Sequence, residues 1–513
     1  MISEVFLTVR RSRNLSIRGP GEVPRDVRRG RSATLAAVPD EIVPQRCVIV
    51  LPSTGEFDSR TYRIARTLHE RGHEVTVLAR WKPGLARREV HPIGYPIVRV
   101  EATAVDGVPF RALTLPIFRA LRLAARPILG PVPTSIGKES GPGSDAASDA
   151  GAQTENVDAG ADEPERPEAD DTDPGWAHPA ARDPGRLRGY VRRARIFLMI
   201  RSHRRRALAV APAADVYHGM AYMGISVALA LGKRHRAKVV YDSRDIYMVA
   251  ANLARLRGPI KAVLSRLERG WARAADRVVT VNQPYATELA RRFRVPMPVI
   301  VMNCSYRFSS PAPKPRRFHE LLGLDAETRV VLYQGGFSVG RGVEQLMAAI
   351  HQVPNSVLVV MGYGALEARF RAAAEEPANR GKVHILPAVP PTELLDWVAS
   401  ADVVGVLFQH DTLNNYLSTP NKFLEGMAAG VPTVCSDHPG MGPIARETGC
   451  GVPVDPSDIQ AIAAAIRSIV DASPDDRSAM RGRALAAAHD TYNWESQVQA
   501  LLEEYTRLTG RRW

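Results

Sequence analysis

The sequence predicts an α/β protein with two doubly wound, Rossmann-like domains facing a cleft, closed by a C-terminal helix. Three observations carry this. Short valine- and isoleucine-rich runs recur with the length of buried parallel strands, separated by segments of helical period. A proline-rich break over 309–315 interrupts the rhythm, which restarts at Val330. The chain has 513 residues, more than one hydrophobic core holds.

Residues 1–40 are rich in Arg, Pro and Gly without periodicity and read as a disordered basic arm. The first domain spans 41–310. It opens with the apolar run Arg46 to Leu51, a polar loop to Asp58, a helical stretch from Ser59 that Gly72 stops, and a second strand from Glu74 to Ala79. This is a βαβ unit. Residues 131–185 nearly lack large apolar groups and read as a disordered acidic insertion. Order resumes with the basic helical stretch Arg186 to Ala209. Strands ending at His218, Asp242 and Val281 then alternate with helices over 225–233 and 256–275. The second domain, 316–490, has strands at 330–333, 357–361, 383–386, 403–407 and 433–436, and residues 491–513 form the closing helix.

Composition narrows the function. No run of about 18 apolar residues and no signal-peptide core occurs, so the expected location is cytoplasmic. The four cysteines form no CxxC pair and the thirteen histidines no HExxH spacing, so no metal or cofactor is expected. Residues 139–173 carry a net −11 within a chain of +14, which leaves +25 on the rest and calls for an anionic partner. No zinc finger or RNP-like aromatic pattern points to nucleic acid. A nicotinamide dehydrogenase is disfavoured, because Pro52-Ser53-Thr54-Gly55 follows the first strand where GxGxxG would stand.

Two segments carry chemistry. In Tyr333 to Gly342 a strand ends in Gly335 and Gly336 and a helix begins after Arg341. Glycines there bring backbone N–H groups close to phosphate, and Arg341 adds a full charge. The alternative is a glycine-rich turn with a surface arginine. In the segment from Ser418 to Pro432, Ser418 or Thr419 can cap a helix, Pro420 suits its first turn and Gly430 ends it. Glu425 lies mid-helix beside Phe423, Leu424 and Met427, where a carboxylate needs a partner. A ribose diol donates twice to such an acceptor. The alternatives are an outward-facing glutamate or an internal pair with an arginine.

Together these segments resemble the donor-binding domain of the family-4-type retaining glycosyltransferases, with Pro420-Asn421-Lys422 through Glu425, Met427, Gly430 and Pro432 in the family's helix pattern. The resemblance implies the GT-B fold, with the closing helix crossing back to the first domain. It implies a nucleotide-diphosphate sugar as donor, gripped by Gly335, Gly336, Arg341, Ser418, Thr419, Asn421, Lys422 and Glu425. Glu425 would hold the ribose, and Arg341 and Lys422 the diphosphate; a surface lysine is the alternative at 422. Asp215 to His218 resembles the strand end whose His lies near the transferred sugar, so His218 joins Arg341 and Lys422 as catalytic candidates. Val240 to Asp245 resembles a further loop. On the acceptor side the candidates are Asp58, Arg60, Asp242, Arg244 and Asp245.

Three positions depart from the family pattern. Leu417 stands where an acid is usual, Gly336 where a loop arginine is usual, and Arg244 where a His is usual. These point to divergence in donor choice, with sugar contacts falling to backbone near Ser418 and Thr419 or to Asn414 and Asn415. The implied reaction is sugar transfer, with retention and without metal, to a glycan, lipid-linked or small-molecule acceptor. The alternatives are a silent nucleotide-sugar-binding protein and a nucleotide-sugar epimerase. The stretches Arg186 to Ala209 and Phe110 to Leu129 mix arginines with apolar residues, which suggests peripheral docking on an anionic inner membrane face.

Overall fold

The computed structural model describes residues 43–56, 58–103, 186–250, 253 and 258–513, and of residues 186–194 only the backbone. The basic arm 1–40, the acidic insertion 131–185 and the stretch 110–129 lie outside them. The described residues belong to one compact unit.

Two sheets organise it. The first has eight strands in the order β3-β4-β2-β1-β5-β6-β7-β8. These are β1 (Arg46–Val50), β2 (Glu74–Arg80), β3 (Arg88–Val90), β4 (Pro96–Val100), β5 (Val216–Met220), β6 (Lys238–Asp242), β7 (Arg277–Thr280) and β8 (Val299–Ile300). The second has six strands in the order β11-β10-β9-β12-β13-β14. These are β9 (Arg329–Gly336), β10 (Ser356–Tyr363), β11 (Val383–Leu386), β12 (Val403–Val406), β13 (Thr433–Ser436) and β14 (Gly451–Val454). Every neighbouring pair is parallel except β3 with β4. This is the GT-B architecture.

The continuous apolar runs become strands covered on both faces: Cys47, Val48, Ile49 and Val50 are all buried, as are Val330 through Tyr333. The strand order reverses between β1 and β5 in one sheet and between β9 and β12 in the other. Ligands bind at such switch points, beyond the carboxyl ends of the strands.

Strands β3, β4, β8 and β14 escaped the sequence reading. β8 has two residues, while β4 opens on Pro96 and β14 contains Pro453. Proline interrupts an apolar run and suits a strand's first residue or an outer strand, which these are.

The helix Trp494–Thr509 buries Trp494, Val498, Leu501, Leu502 and Tyr505 against Cys47, Ile49 and Val240 of the first sheet. The Trp494 indole N–H donates to Thr67 Oγ1 at 2.8 Å. The chain thus returns from the second sheet to the first.

The helix Arg186–Val210 turns part of its apolar surface inward. Ile196, Phe197, Met199 and Ile200 pack against the cluster of Tyr222, Met223, Met248 and Leu264. These apolar residues face the protein's own core, while Val210 at the end of the helix stays exposed. Arg201, Arg204 and Arg205 remain exposed. Among the described residues no helix is long and apolar enough to cross a membrane.

Candidate active site

The carboxyl end of β9 is built to approach another group closely. Gly335 and Gly336 pair with Gly362 and Tyr363 of β10. Gly335 has φ +117° and Gly362 φ +156°, and a Cβ on Gly362 would stand 2.0 Å from the Gly335 carbonyl oxygen. Only glycines close this junction. A Cβ on Gly335 would meet Lys422 Nζ at 3.0 Å, whereas one on Gly336 would meet open space.

Lys422 comes from the first turn of the helix Asn421–Ala429, which starts at Pro420 and ends at Gly430 with φ +71°. It is only 2% exposed. Its ammonium donates to the Tyr333 hydroxyl at 3.3 Å and lies 4.3 Å from the Tyr333 ring centroid and 5.3 Å from that of Phe408. The Tyr333 hydroxyl in turn donates to the Gly336 carbonyl at 2.7 Å. No carboxylate among the described residues pairs with Lys422. A desolvated cation held by rings and one hydroxyl is costly unless an anion completes it.

One turn on, Glu425 is 3% exposed and accepts from the Gln334 side-chain amide at 2.9 Å. It lines a pocket with Gly335, Gly336, Lys422 and Tyr363. The pocket runs along the sheet edge from β9 past β10 to Ala388, Val389 and Pro391 beyond β11. A carboxylate beside a neutral amide and facing space retains acceptor capacity for a diol.

A second pocket opens between the carboxyl ends of the two sheets. Arg341 lines it from the second sheet. The Arg341 Nε donates to Ser338 Oγ at 3.2 Å, and its guanidinium lies 4.3 Å from the Phe408 ring centroid. Phe408 therefore carries Arg341 and Lys422 on one ring.

Ser418, Thr419 and Asn421 line this second pocket rather than the one holding Glu425. Their side chains are engaged. Ser418 Oγ donates to the Asn415 carbonyl at 2.9 Å. Thr419 Oγ1 donates to the Gly440 carbonyl at 2.6 Å and accepts from Asn282 at 3.0 Å. Asn421 accepts from Asn303 at 3.0 Å. Asn414 joins the sheets: it donates to Asp245 at 3.0 Å, and its amide oxygen accepts from the Ile246 N–H at 2.8 Å and the Tyr285 hydroxyl at 2.9 Å. Leu417 packs on the first sheet's core and contributes a carbonyl to Asn282.

Across the pocket, Asp58 caps the helix Ser59–Glu70 through Thr61 N–H and accepts from Arg244 at 2.7 Å. Arg244 thus holds the loop after β6 to the loop after β1. Arg60 reaches the pocket from the same helix turn. Asp242 does not reach it: fully buried, it accepts from Arg60 Nε at 2.7 Å and lies 3.1 Å from His218 Nε2. Burial raises its carboxyl, but Arg60 and His218 outweigh that and hold it down at about 2.

Expected beside the transferred sugar, His218 is 0% exposed, between Asp242 and the Tyr505 hydroxyl, which stands 2.6 Å from Nδ1. Both ring nitrogens are engaged, and the ring lines neither pocket.

Sequence reasoning missed Phe408, Asn282, Asn303 and Tyr505. The first three stand at or just beyond the carboxyl ends of strands, which is a usable signal. Tyr505 offered none, since its partner is 287 residues away.

Known proteins supply a comparison. Residues 316–485 match the family model described as "Glycosyl transferases group 1", and residues 145–304 match "Glycosyl transferase 4-like domain". Between them the two matches cover well over half of the chain. A D-inositol 3-phosphate glycosyltransferase of Xylanimonas cellulosilytica is 27% identical over 44% of this chain and 54% of its own length. A GDP-mannose:cellobiosyl-diphosphopolyprenol alpha-mannosyltransferase of Xanthomonas campestris is 28% identical over 37% of this chain and 49% of its own. The chain spans about half the length of these curated relatives. The sucrose-phosphate synthase structure from Thermosynechococcus elongatus covers 91% of this chain and 99% of its own at a TM-score of 0.62 and 16% identity, a likeness of fold.

Proposed function

We propose, for a chain that belongs to the group 1 glycosyl transferases, that it moves a sugar from a nucleotide-diphosphate donor to an acceptor in the cleft. The carrying observation is Lys422: a buried ammonium with aromatic and hydroxyl company and no paired carboxylate among the described residues, beneath a glycine at the open end of a strand. A diphosphate supplies the missing charge. The adjoining pocket supports a nucleoside, with Glu425 taking the ribose hydroxyls and the apolar wall at Ala388 to Pro391 taking the base. The relative named for GDP-mannose supports a nucleotide-sugar donor.

The mechanism follows from charge. Breaking the bond between sugar and diphosphate leaves negative charge on the departing oxygen. Lys422 and Arg341, fixed against Phe408, meet that charge without reorganising, so they stabilise the transition state more than the ground state. In this reading no metal is required. Transfer proceeds with retention: the acceptor enters from the pocket of Arg60, Arg244 and Asp245, attacks from the leaving-group side and gives its proton to the diphosphate. In this reading the acceptor is a glycan, a lipid-linked or a small-molecule hydroxyl compound.

The test is a panel of UDP, GDP and ADP in thermal unfolding, followed by nucleotide release from the matching sugar donors. A diphosphate at 100 times its dissociation constant adds about 2.7 kcal/mol. If no member of the panel raises the melting temperature, the reading fails.

Membrane contact, in this reading, is electrostatic. Arg201, Arg204 and Arg205 would adsorb to anionic lipid at about 1 kcal/mol each, without insertion. Flotation with phosphatidylserine vesicles is expected at low salt and lost at high salt. Flotation that survives high salt, or none at all, contradicts it.

A further inference from the structure

The relay through His218 ends on a residue that lines the pocket between the sheets. Tyr505, from the C-terminal helix, stands 2.6 Å from His218 Nδ1; His218 Nε2 is 3.1 Å from Asp242 Oδ2; and the same oxygen accepts from Arg60 Nε at 2.7 Å. An ionised carboxylate only accepts, so Nε2 carries the proton toward Asp242, and in the neutral ring Nδ1 accepts from the tyrosine. Arg60 Nη1 donates to the Val301 carbonyl at 2.7 Å, which fixes the guanidinium plane. Arg60 is 1% exposed, and its Nη2 has no partner among the described residues. Yet Arg60 lines the pocket between the sheets. A guanidinium bound along two edges, with its remaining nitrogen buried and unused in a residue that lines a pocket, is held for a substrate oxygen.

We propose that Arg60 is the first sheet's substrate-contacting residue, and that Asp242, His218 and Tyr505 are positioning residues that act through it. The proposal rests on the transfer reading above. It gives His218 a role without contact with the sugar, and it makes the C-terminal helix part of the active site's support. Arg60 lies outside the pocket of Lys422 and Glu425, so it bears on the reacting end of the substrates rather than on nucleotide grip.

The experiment is nucleotide release from UDP-glucose and GDP-mannose by the full chain. Compared with wild type are Arg60→Lys, His218→Asn, Tyr505→Phe and the double variant Arg60→Lys/His218→Asn. Arg60→Lys keeps the charge but loses the planar fork; kcat should fall on the order of 10²-fold, with donor KM nearly unchanged. Tyr505→Phe removes one hydroxyl and should cost up to about tenfold in kcat. The double variant should be no slower than Arg60→Lys alone, because the relay has lost what it positions. Multiplying losses would show that His218 works independently and would overturn the proposal. So would Arg60→Lys at wild-type kcat, or a loss confined to KM. Tyr505→Phe keeps the question decidable if a core variant folds poorly. A wild-type chain that releases nucleotide from neither donor removes the transfer reading and this proposal together, whereas equal turnover by wild type and Arg60→Lys removes the proposal alone.

Discussion

Replacing Lys422 by methionine should abolish useful nucleotide binding while leaving the unliganded protein at least as stable. The two effects have one cause. Lys422 is 2% exposed with a hydroxyl at 3.3 Å and two rings as company, and no carboxylate among the described residues pairs with it. A desolvated charge without a counter-ion costs stability, and an apolar side chain of similar length relieves that cost, by about 1 kcal/mol or more. Methionine keeps contact with Tyr333 and Phe408, and a thioether is favourable against rings. Binding moves the other way. A charge-assisted contact to a diphosphate in a water-poor site is worth about 3 kcal/mol, roughly 10²-fold in affinity. Calorimetric titration with whichever diphosphate stabilises the wild type, set beside unliganded melting, reads both. Should the variant bind as wild type does, or melt well below it, Lys422 is a structural lysine and the diphosphate site lies elsewhere.

This opposition explains what the sequence made legible. The doubly wound folds were readable because buried parallel strands are continuous apolar runs; Val330 to Tyr333 announces itself without context. The donor helix was readable because its caps and its out-of-place acid are local features. What stayed hidden depends on contacts across hundreds of residues. His218 looked available, and nothing nearby in the chain foretells that Tyr505 seals it. The same holds for Thr419 and Asn421. Their residue types suited ligand contact, yet Thr419 and Asn421 hydrogen-bond to Asn282 and Asn303 of the first lobe. Phe408 was passed over because an aromatic after a strand reads as core, and it is core: 2% exposed, while carrying two cations. The apolar residues of the helix Arg186–Val210 were ambiguous for another reason, since a helix lying on a core and one lying on a bilayer share their spacing.

Arg341→Ala should separate catalysis from binding where Lys422→Met does not. Arg341 lines the pocket between the sheets, and Lys422 the nucleotide pocket, with Phe408 beneath both. If Arg341 meets charge that develops only as the bond breaks, its loss lowers kcat by about 10²–10³-fold and leaves donor KM within a few-fold of wild type. Loss of the contact with the Phe408 ring itself costs the fold about 1 kcal/mol. Arg341→Lys sharpens the test. It restores the charge without the flat guanidinium that stacks on Phe408 and donates to Ser338, so its kcat should fall between wild type and Ala. Steady-state nucleotide release over a range of donor concentrations reads both constants. A variant that loses affinity but keeps kcat would make Arg341 a second grip on the ground-state diphosphate. Unchanged turnover would remove it from the chemistry and leave Lys422 with the backbone at Gly335 and Gly336 as the whole of the leaving-group site.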